Sequence, residues 1–301
     1  YAMKVHPIND HIFALHADIR SDDLFEGIWP IPYGVSLNCY LVRGEKIALI
    51  DLVRDWVGAP TELKNQLSSL GVSLEDVDYI ILNHLEPDHT GWLREFLSIN
   101  AKALVMTTAK GAELVKNFYF ERDRVRAIKE GEILDLGMGQ SLQFFETPNV
   151  HWPETMMTWA KEGGVLFSCD GFGSYGALGD RIFDDEISED EHEFFEAESL
   201  RYYANIVASF GIFVKRAIEK LSSLPIRVIA PSHGIIWRTN PNEIIRRYLR
   251  YVNYSEGPRE KEIAIIWGSM YGNTELGLKH VIEGIEEEKV PYSIHRVPNE
   301  N

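Results

Sequence analysis

Up to about residue 173 the chain reads as short apolar runs separated by turns, with amphipathic stretches between them. The runs at 37–42 and 47–52 flank Arg43-Gly44-Glu45 and predict a β-hairpin. Pro60-Thr61 opens an amphipathic helix that Gly71 closes. Residues 77–83 are a short, mostly apolar run, as expected of a buried strand. Thr107 or Thr108 caps a helix running to about Tyr119, and 142–145 and 165–168 are two further short strands. The period then changes. Ser188 and Glu191 have capping-box spacing, and Phe195, Leu200, Ile206, Phe210, Val214, Ile218 and Leu221 recur every three or four positions or so. They predict a long core-facing helix over 194–221, broken near Gly211. The acidic stretch 184–198 is expected to form its solvated first turns, where negative charge complements the helix dipole. Residues 226–230 predict a strand, and Asn240-Pro241 starts a helix to about Tyr254.

Residues 255–262 are polar and turn-rich, as expected of a linker. Beyond them a fresh βαβ pattern begins, with strand 263–267, helix 274–288 and strand 292–297. The reading is therefore a domain over 3–255 and a linker with a short appended segment over 256–301, without internal repeats. Tyr1 and Ala2 precede Met3, the expected natural start.

Composition narrows the class. The 301 residues carry a formal net charge of −16, which argues against nucleic acid and anionic membrane surfaces as partners. No apolar run approaches the ~20 residues of a membrane helix, and the N-terminal pattern is not that of a secretory signal. Cys39 and Cys169, the only two cysteines, are far apart and form no C-x-x-C, so a cytoplasmic protein with reduced thiols is expected.

The chemistry gathers after the strand at 77–83, in His84-Leu85-Glu86-Pro87-Asp88-His89. Four metal-capable side chains lie within six residues at a strand end, and Pro87 forces the turn. Crowding two carboxylates and two imidazoles there is costly without a cation. Later strands lead to His151, Asp170 and His233. If those strands share a sandwich, seven ligands meet at one edge: His84, Glu86, Asp88, His89, His151, Asp170 and His233. Two metals share such a set with one carboxylate bridging. The absence of cysteine and the mixed carboxylate–imidazole shell suit non-haem iron or manganese as well as zinc, and hard carboxylate oxygens favour iron. His6, His11, His16, His192, His280 and His295 are expected to be ordinary surface or core residues.

The cluster H-x-E-x-D-H resembles the metal motif of flavodiiron proteins, with Glu86 where zinc hydrolases of the same superfamily carry a second histidine. Phe25-Glu26-Gly27-Ile28-Trp29-Pro30-Ile31-Pro32-Tyr33-Gly34-Val35-Ser36, His151-Trp152-Pro153-Glu154-Thr155-Met156, Leu166-Phe167-Ser168-Cys169-Asp170-Gly171-Phe172-Gly173 and Pro231-Ser232-His233-Gly234 are similar to that family too, over about 4–255. The resemblance implies a metallo-β-lactamase-like αββα sandwich. It also implies two iron ions: one on His84, Glu86 and His151, the other on Asp88, His89 and His233, with Asp170 bridging. His89 is the ligand that some members lack. Tyr203 is placed either against the ligands or in the core. A small, mostly apolar pocket would face the metals.

Flavodiiron proteins reduce O2 or NO with electrons from FMN in a flavodoxin-like domain, usually as a head-to-tail homodimer. Ser269-Met270-Tyr271-Gly272-Asn273-Thr274 looks like the phosphate loop of flavodoxins at a helix N-terminus. Only one βαβ unit follows, whereas a doubly wound domain needs on the order of 100 residues. FMN binding by this chain is therefore not expected, and the tail reads as a flavodoxin-like remnant. Three functions stay open: an O2 or NO reductase (an oxidoreductase) fed by a separate electron donor; a di-iron O2 sensor that holds O2 as a peroxo adduct and answers to a signalling partner; and a dinuclear zinc hydrolase.

Overall fold

The computed structural model describes residues 5–256 and 261–297, so the middle of the expected linker lies outside the described residues. The chain divides into two compact units, Tyr1–Val252 and Asn253–Asn301.

In the first unit the strands β1 (His6–Pro7), β2 (Ile12–Ile19), β3 (Val35–Arg43) and β4 (Ile47–Ile50) run antiparallel. Helix α1 (Ala59–Ser69) follows, and β5 (Tyr79–Ile81) pairs parallel to β4. The short helices α2 (Pro87–Thr90) and α3 (Leu93–Ile99) lead to β6 (Leu104–Thr107), α4 (Ala109–Tyr119) and β7 (Val125–Ala127). These strands form one seven-stranded sheet in sequence order. β3 is buried along its length up to Arg43, as expected of a strand covered on both faces. Thr108 caps α4, its hydroxyl accepting from the Gly111 N–H at 3.1 Å.

The second sheet holds β8 (Ile133–Gly137), β9 (Gln140–Glu146), β10 (Met156–Ala160), β11 (Val165–Cys169) and β12 (Val228–Pro231), with only β11 and β12 parallel. Between those two strands run α5 (Glu189–Tyr202) and α6 (Gly211–Leu221), and α7 (Pro241–Asn253) follows β12. The sheets are tied directly: Tyr40 donates from its hydroxyl to the Pro231 carbonyl at 2.6 Å, and its ring meets Phe167 at 5.0 Å. The Met156 N–H donates to the Asn83 carbonyl at 2.9 Å. A single apolar core spans both sheets. The expected αββα sandwich is the architecture found.

Two expectations for the helical region need correction. The break expected near Gly211 is present: a π-turn over Tyr203–Val207 and a 3-10 turn over Ala208–Phe210 separate α5 from α6. That change of winding rotates the apolar stripe, and Leu200 is left 38% exposed. Nor is the whole acidic stretch solvated. Asp184 is buried, accepting the backbone N–H groups of Arg238, Thr239 and Asn240. Glu198 is buried beside Arg201 at 2.7 Å. The capping box of Ser188 and Glu191 is present. β4 and β5 are shorter than their apolar runs; Asp51, at φ 56°, turns out of β4.

In the second unit, β13 (Ile263–Trp267) and β14 (Tyr292–Arg296) pair parallel, joined through α8 (Asn273–Glu287). Gly272, at φ 86°, enters that helix and its N–H donates to the Ser269 hydroxyl at 2.9 Å.

Candidate metal centre

The seven candidate side chains lie on the loops and the one short helix that follow strands. Three residues past β5 stands His84, with the turn before it held by Asp51: the Asn83 N–H donates to Asp51 Oδ1 at 2.7 Å. Glu86 precedes α2, whose first residue, Pro87, occupies the position where a helix needs no N–H. That one turn presents Asp88 and His89. β11 ends at Cys169, which adopts φ 52°, and this left-handed residue delivers Asp170. After β12, Gly234 has φ 87°, and a Cβ there would meet Ser174 Oγ at 2.3 Å, so only glycine lets the chain turn behind His233.

The seven side chains converge. His84 Nε2 lies 3.2 Å from Glu86 Oε2 and 3.4 Å from Asp170 Oδ2. His151 Nε2 lies 3.1 Å from the same Glu86 oxygen and 3.4 Å from Asp170 Oδ2. On the other side, His89 Nε2 is 3.1 Å and His233 Nε2 3.4 Å from Asp170 Oδ1. Asp88 closes this half, 3.5 Å from His89 and 3.3 Å from His233. The seven fall into two groupings, His84–Glu86–His151–Asp170 and Asp88–His89–His233, and a third grouping, Asp51–His89–Cys169, lies against the second through His89. His6, His11, His16, His192, His280 and His295 belong to none of them.

The chemistry of this set fits cations. Asp88 Oδ1, His89 Nε2, Asp170 Oδ2 and His233 Nε2 are buried without a well-formed hydrogen bond. Buried polar atoms left this way are rare unless an unseen partner satisfies them. Burial alone pushes imidazoles down, yet the carboxylates beside them hold His151 up at about 10 and His233 at about 9. Burial would likewise raise Glu86, but His151 and His84 hold it at about 2. The carboxylate charge that holds these protons would equally favour cations in their place. Cys169 Sγ stands 3.7 Å from His89 Nδ1, behind the ring, and burial followed by Asp51 pushes its thiol up, which keeps thiolate out of the set.

Several residues that position the site carry no motif of their own. Glu154 Oε1 receives Nδ1 of His84 at 2.7 Å, and the Ser36 carbonyl receives Nδ1 of His233 at 2.8 Å, so both rings turn Nε2 inward. Tyr202 donates from its hydroxyl to Asp170 Oδ1 at 3.0 Å. Tyr203 does not reach the ligands: its ring packs on Tyr248 and Tyr251, each 5.4 Å away, which makes it the core aromatic of the two placements considered. The signal for Glu154 was a lone acid beside the apolar run 156–160; nothing local distinguished Tyr202 from its neighbour.

A cavity of about 250 Å³ opens beside Glu86 and Asp88. It is not mostly apolar. Glu26 and Arg54 line it with Phe25 and Trp56, and the Arg54 guanidinium stacks 3.9 Å over Trp56. Burial, then Glu86, pushes Glu26 up to about 7, and Glu26 Oε1 is 3.8 Å from His151 Nε2.

The sandwich and the histidine–carboxylate cluster at its strand ends define the β-lactamase-like class of metal-site proteins. A family model described as ODP family beta lactamase matches residues 35–234. Anaerobic nitric oxide reductase flavorubredoxins resemble the chain: that of Salmonella arizonae is 37% identical over 257 residues, 84% of this chain and 52% of its own length. That of Vibrio vulnificus is 34% identical over 95% of this chain and 56% of its own length. The chain thus spans about half the length of the curated relatives it matches. Among solved structures, a variant of the flavo di-iron protein of Thermotoga maritima superimposes with a TM-score of 0.83 at 30% identity, covering 97% of this chain and 72% of that one. The rubredoxin oxygen:oxidoreductase of Desulfovibrio gigas gives 0.85 at 28% identity, with the same coverage of 97% and 72%. The chain belongs to the ODP family of β-lactamase-like proteins and, within it, to the flavodiiron proteins.

Proposed function

We propose that the cluster holds two iron ions and that the loaded protein binds and reduces O2 or NO, with electrons from a separate donor. His84, Glu86 and His151 hold one iron, Asp88, His89 and His233 the other, and Asp170 both. The observation that carries this reading is the division of one carboxylate. Asp170 Oδ2 faces His84 and His151, while Oδ1 faces His89 and His233. A carboxylate set between two pairs of imidazoles has the form of a ligand shared by neighbouring cations. Three carboxylates and no thiolate support iron over zinc. The names of the relatives, a nitric oxide reductase and an oxygen:oxidoreductase, support a diatomic substrate.

Bound iron supplies redox electrons and open coordination positions. The chain's own residues supply the rest. Glu154 and the Ser36 carbonyl hold the His84 and His233 rings in one orientation. Tyr202 stays protonated, because burial and then Asp170 hold its pKa well above the usual phenol value, and it donates to Asp170 Oδ1. Glu26 and Arg54 stand at the way in. Cys39 and Cys169 are buried free thiols, which supports a reducing, cytoplasmic setting. The turn that Ser269 and Gly272 make before α8 supports a flavodoxin-like origin for the second unit.

The test is optical. Iron-loaded protein is reduced without oxygen, mixed with one equivalent of O2 or NO, and followed in the visible. Decay within seconds to an oxidised spectrum, with reactivity restored on re-reduction, is expected. A coloured adduct that persists for minutes would favour a gas receptor instead. A colourless sample holding two zinc ions and inert to both gases would overturn the iron reading.

A further inference from the structure

A second cavity, of about 300 Å³, lies between the second sheet and helices α6 and α7. Val150, Gly171 and Phe172 line it, as do Ala217, Ile218 and Leu249. Its polar wall groups are already engaged: the Ser222 hydroxyl donates to the Glu219 carbonyl at 2.7 Å, and the Tyr248 hydroxyl to the Gly173 carbonyl at 2.8 Å. Asn242, also on its lining, is exposed. A buried water needs two to four polar partners, and these walls offer little to one. Apolar walls of this kind favour small apolar molecules such as xenon over ordered water.

Its position connects it to the metal cluster. Gly171 and Phe172 directly follow Asp170, and Val150 directly precedes His151, so two of the seven candidate ligands are carried by the backbone that forms its wall. Asp170 and Gly171 are consecutive, so the loop that carries a candidate ligand also lines the cavity. Gly171 is closely packed there: a Cβ would meet Met157 Cε at 2.6 Å and the Ser168 carbonyl oxygen at 3.0 Å. On the cavity side of the loop Phe172 packs on Tyr248, ring centroids 5.2 Å apart. The half-buried Ile218 and Leu249 give the cavity an apolar approach between the two helices.

We infer that this cavity is a holding site for the apolar diatomic substrate, walled by the residues that follow Asp170 and separate from the polar opening beside Glu26 and Arg54. The inference rests on the reading of the cluster as a gas-reactive di-iron centre. O2 and NO carry no charge and make poor hydrogen bonds, so they partition into apolar surroundings. Metal ligands and their counter-charges leave no such space within the cluster itself.

The probe is xenon. Crystals of the iron-loaded protein under xenon pressure are expected to show xenon in this cavity, and Ala217→Phe, whose ring projects from α6 into it, is expected to exclude it. With reduced, iron-loaded protein, the second-order rate constant for O2 uptake at low gas should fall several-fold in Ala217→Phe, while iron content and the rate at saturating gas are retained. Ile218→Trp, at a half-buried position that tolerates bulk, should give the same split if Ala217→Phe does not fold. An unchanged rate constant in a variant that has lost its xenon would overturn the holding role. A gas-reactive protein without xenon in the cavity overturns it alone, leaving the di-iron reading in place. Xenon uptake by a loaded protein inert to O2 and NO would overturn both.

Discussion

The hydroxyl of Tyr202 donates a hydrogen bond to Oδ1 of Asp170 at 3.0 Å, on the side of the carboxylate that faces His89 and His233. The two oxygens of Asp170 are therefore unequal. Oδ1 shares its lone pairs with a phenol, whereas Oδ2 has no well-formed hydrogen bond at all.

Removing that phenol separates its role from its neighbour's. Tyr202→Phe deletes a buried hydrogen bond to a charged group, worth roughly 1.5–3 kcal/mol. We expect denaturant unfolding to register a loss of that order, with two metals retained and a shifted visible spectrum of the oxidised centre. Tyr203→Phe, whose hydroxyl makes no hydrogen bond, should leave the spectrum unmoved. Equal spectra in all three proteins would mean that Tyr202 does not tune the shared carboxylate.

Asp170→Asn keeps the volume and removes the charge that faces four imidazoles. Metal analysis of the purified variant should give at least one equivalent less than the parent, and gas reactivity should be lost. Full metal content with full O2 reactivity would rule out Asp170 as the shared ligand.

Glu86 stands within 3.2 Å of both His84 and His151. Glu86→His exchanges a hard oxygen for an imidazole nitrogen and should raise the zinc-to-iron ratio after expression in mixed metals. An unchanged ratio would show that the carboxylate at this position does not select the metal.

Acid stability offers a test away from the metals. Arg181, followed by the Ser188 backbone N–H, holds Glu191 down at about 2. A carboxylate with a depressed folded-state pKa contributes stability that is present above its unfolded value, about 4.3, and lost as pH falls through its folded value. Between those limits the parent should lose more stability than Glu191→Gln, and the two curves should run parallel above pH 5. Urea titrations across that range measure the difference; parallel curves throughout would remove Glu191 from the acid response.

Much of this was legible in the chain. The cluster at 84–89 is local: a strand end, a proline and four metal-capable side chains are neighbours in sequence, and one short helical turn presents Asp88 and His89 together. Thr108 and Ser188 announced their helices, because a cap depends on residues three apart. The strands β1, β2, β6, β7, β8 and β10 escaped the pattern reading, since strands in a sandwich differ little from apolar turns or helix segments by periodicity alone. The break before Gly211 was legible, but its winding was not: nothing in the apolar spacing marks a π-turn over Tyr203–Val207. Nor does it show that Tyr202 meets Asp170 while Tyr203 packs on Tyr248 and Tyr251.

By itself the sequence determined the inventory of candidate ligands, their placement after strands and their chemical hardness, since each is a property of residue type or close neighbours. Tertiary structure alone decided how those ligands are aimed. Glu154 orients His84 across 70 residues, Tyr202 reaches Asp170 across 32, and the Ser36 carbonyl holds His233 across 197. Such contacts exist only once two sheets have packed, because residues far apart in the chain have no fixed separation until burial of the shared core brings them together.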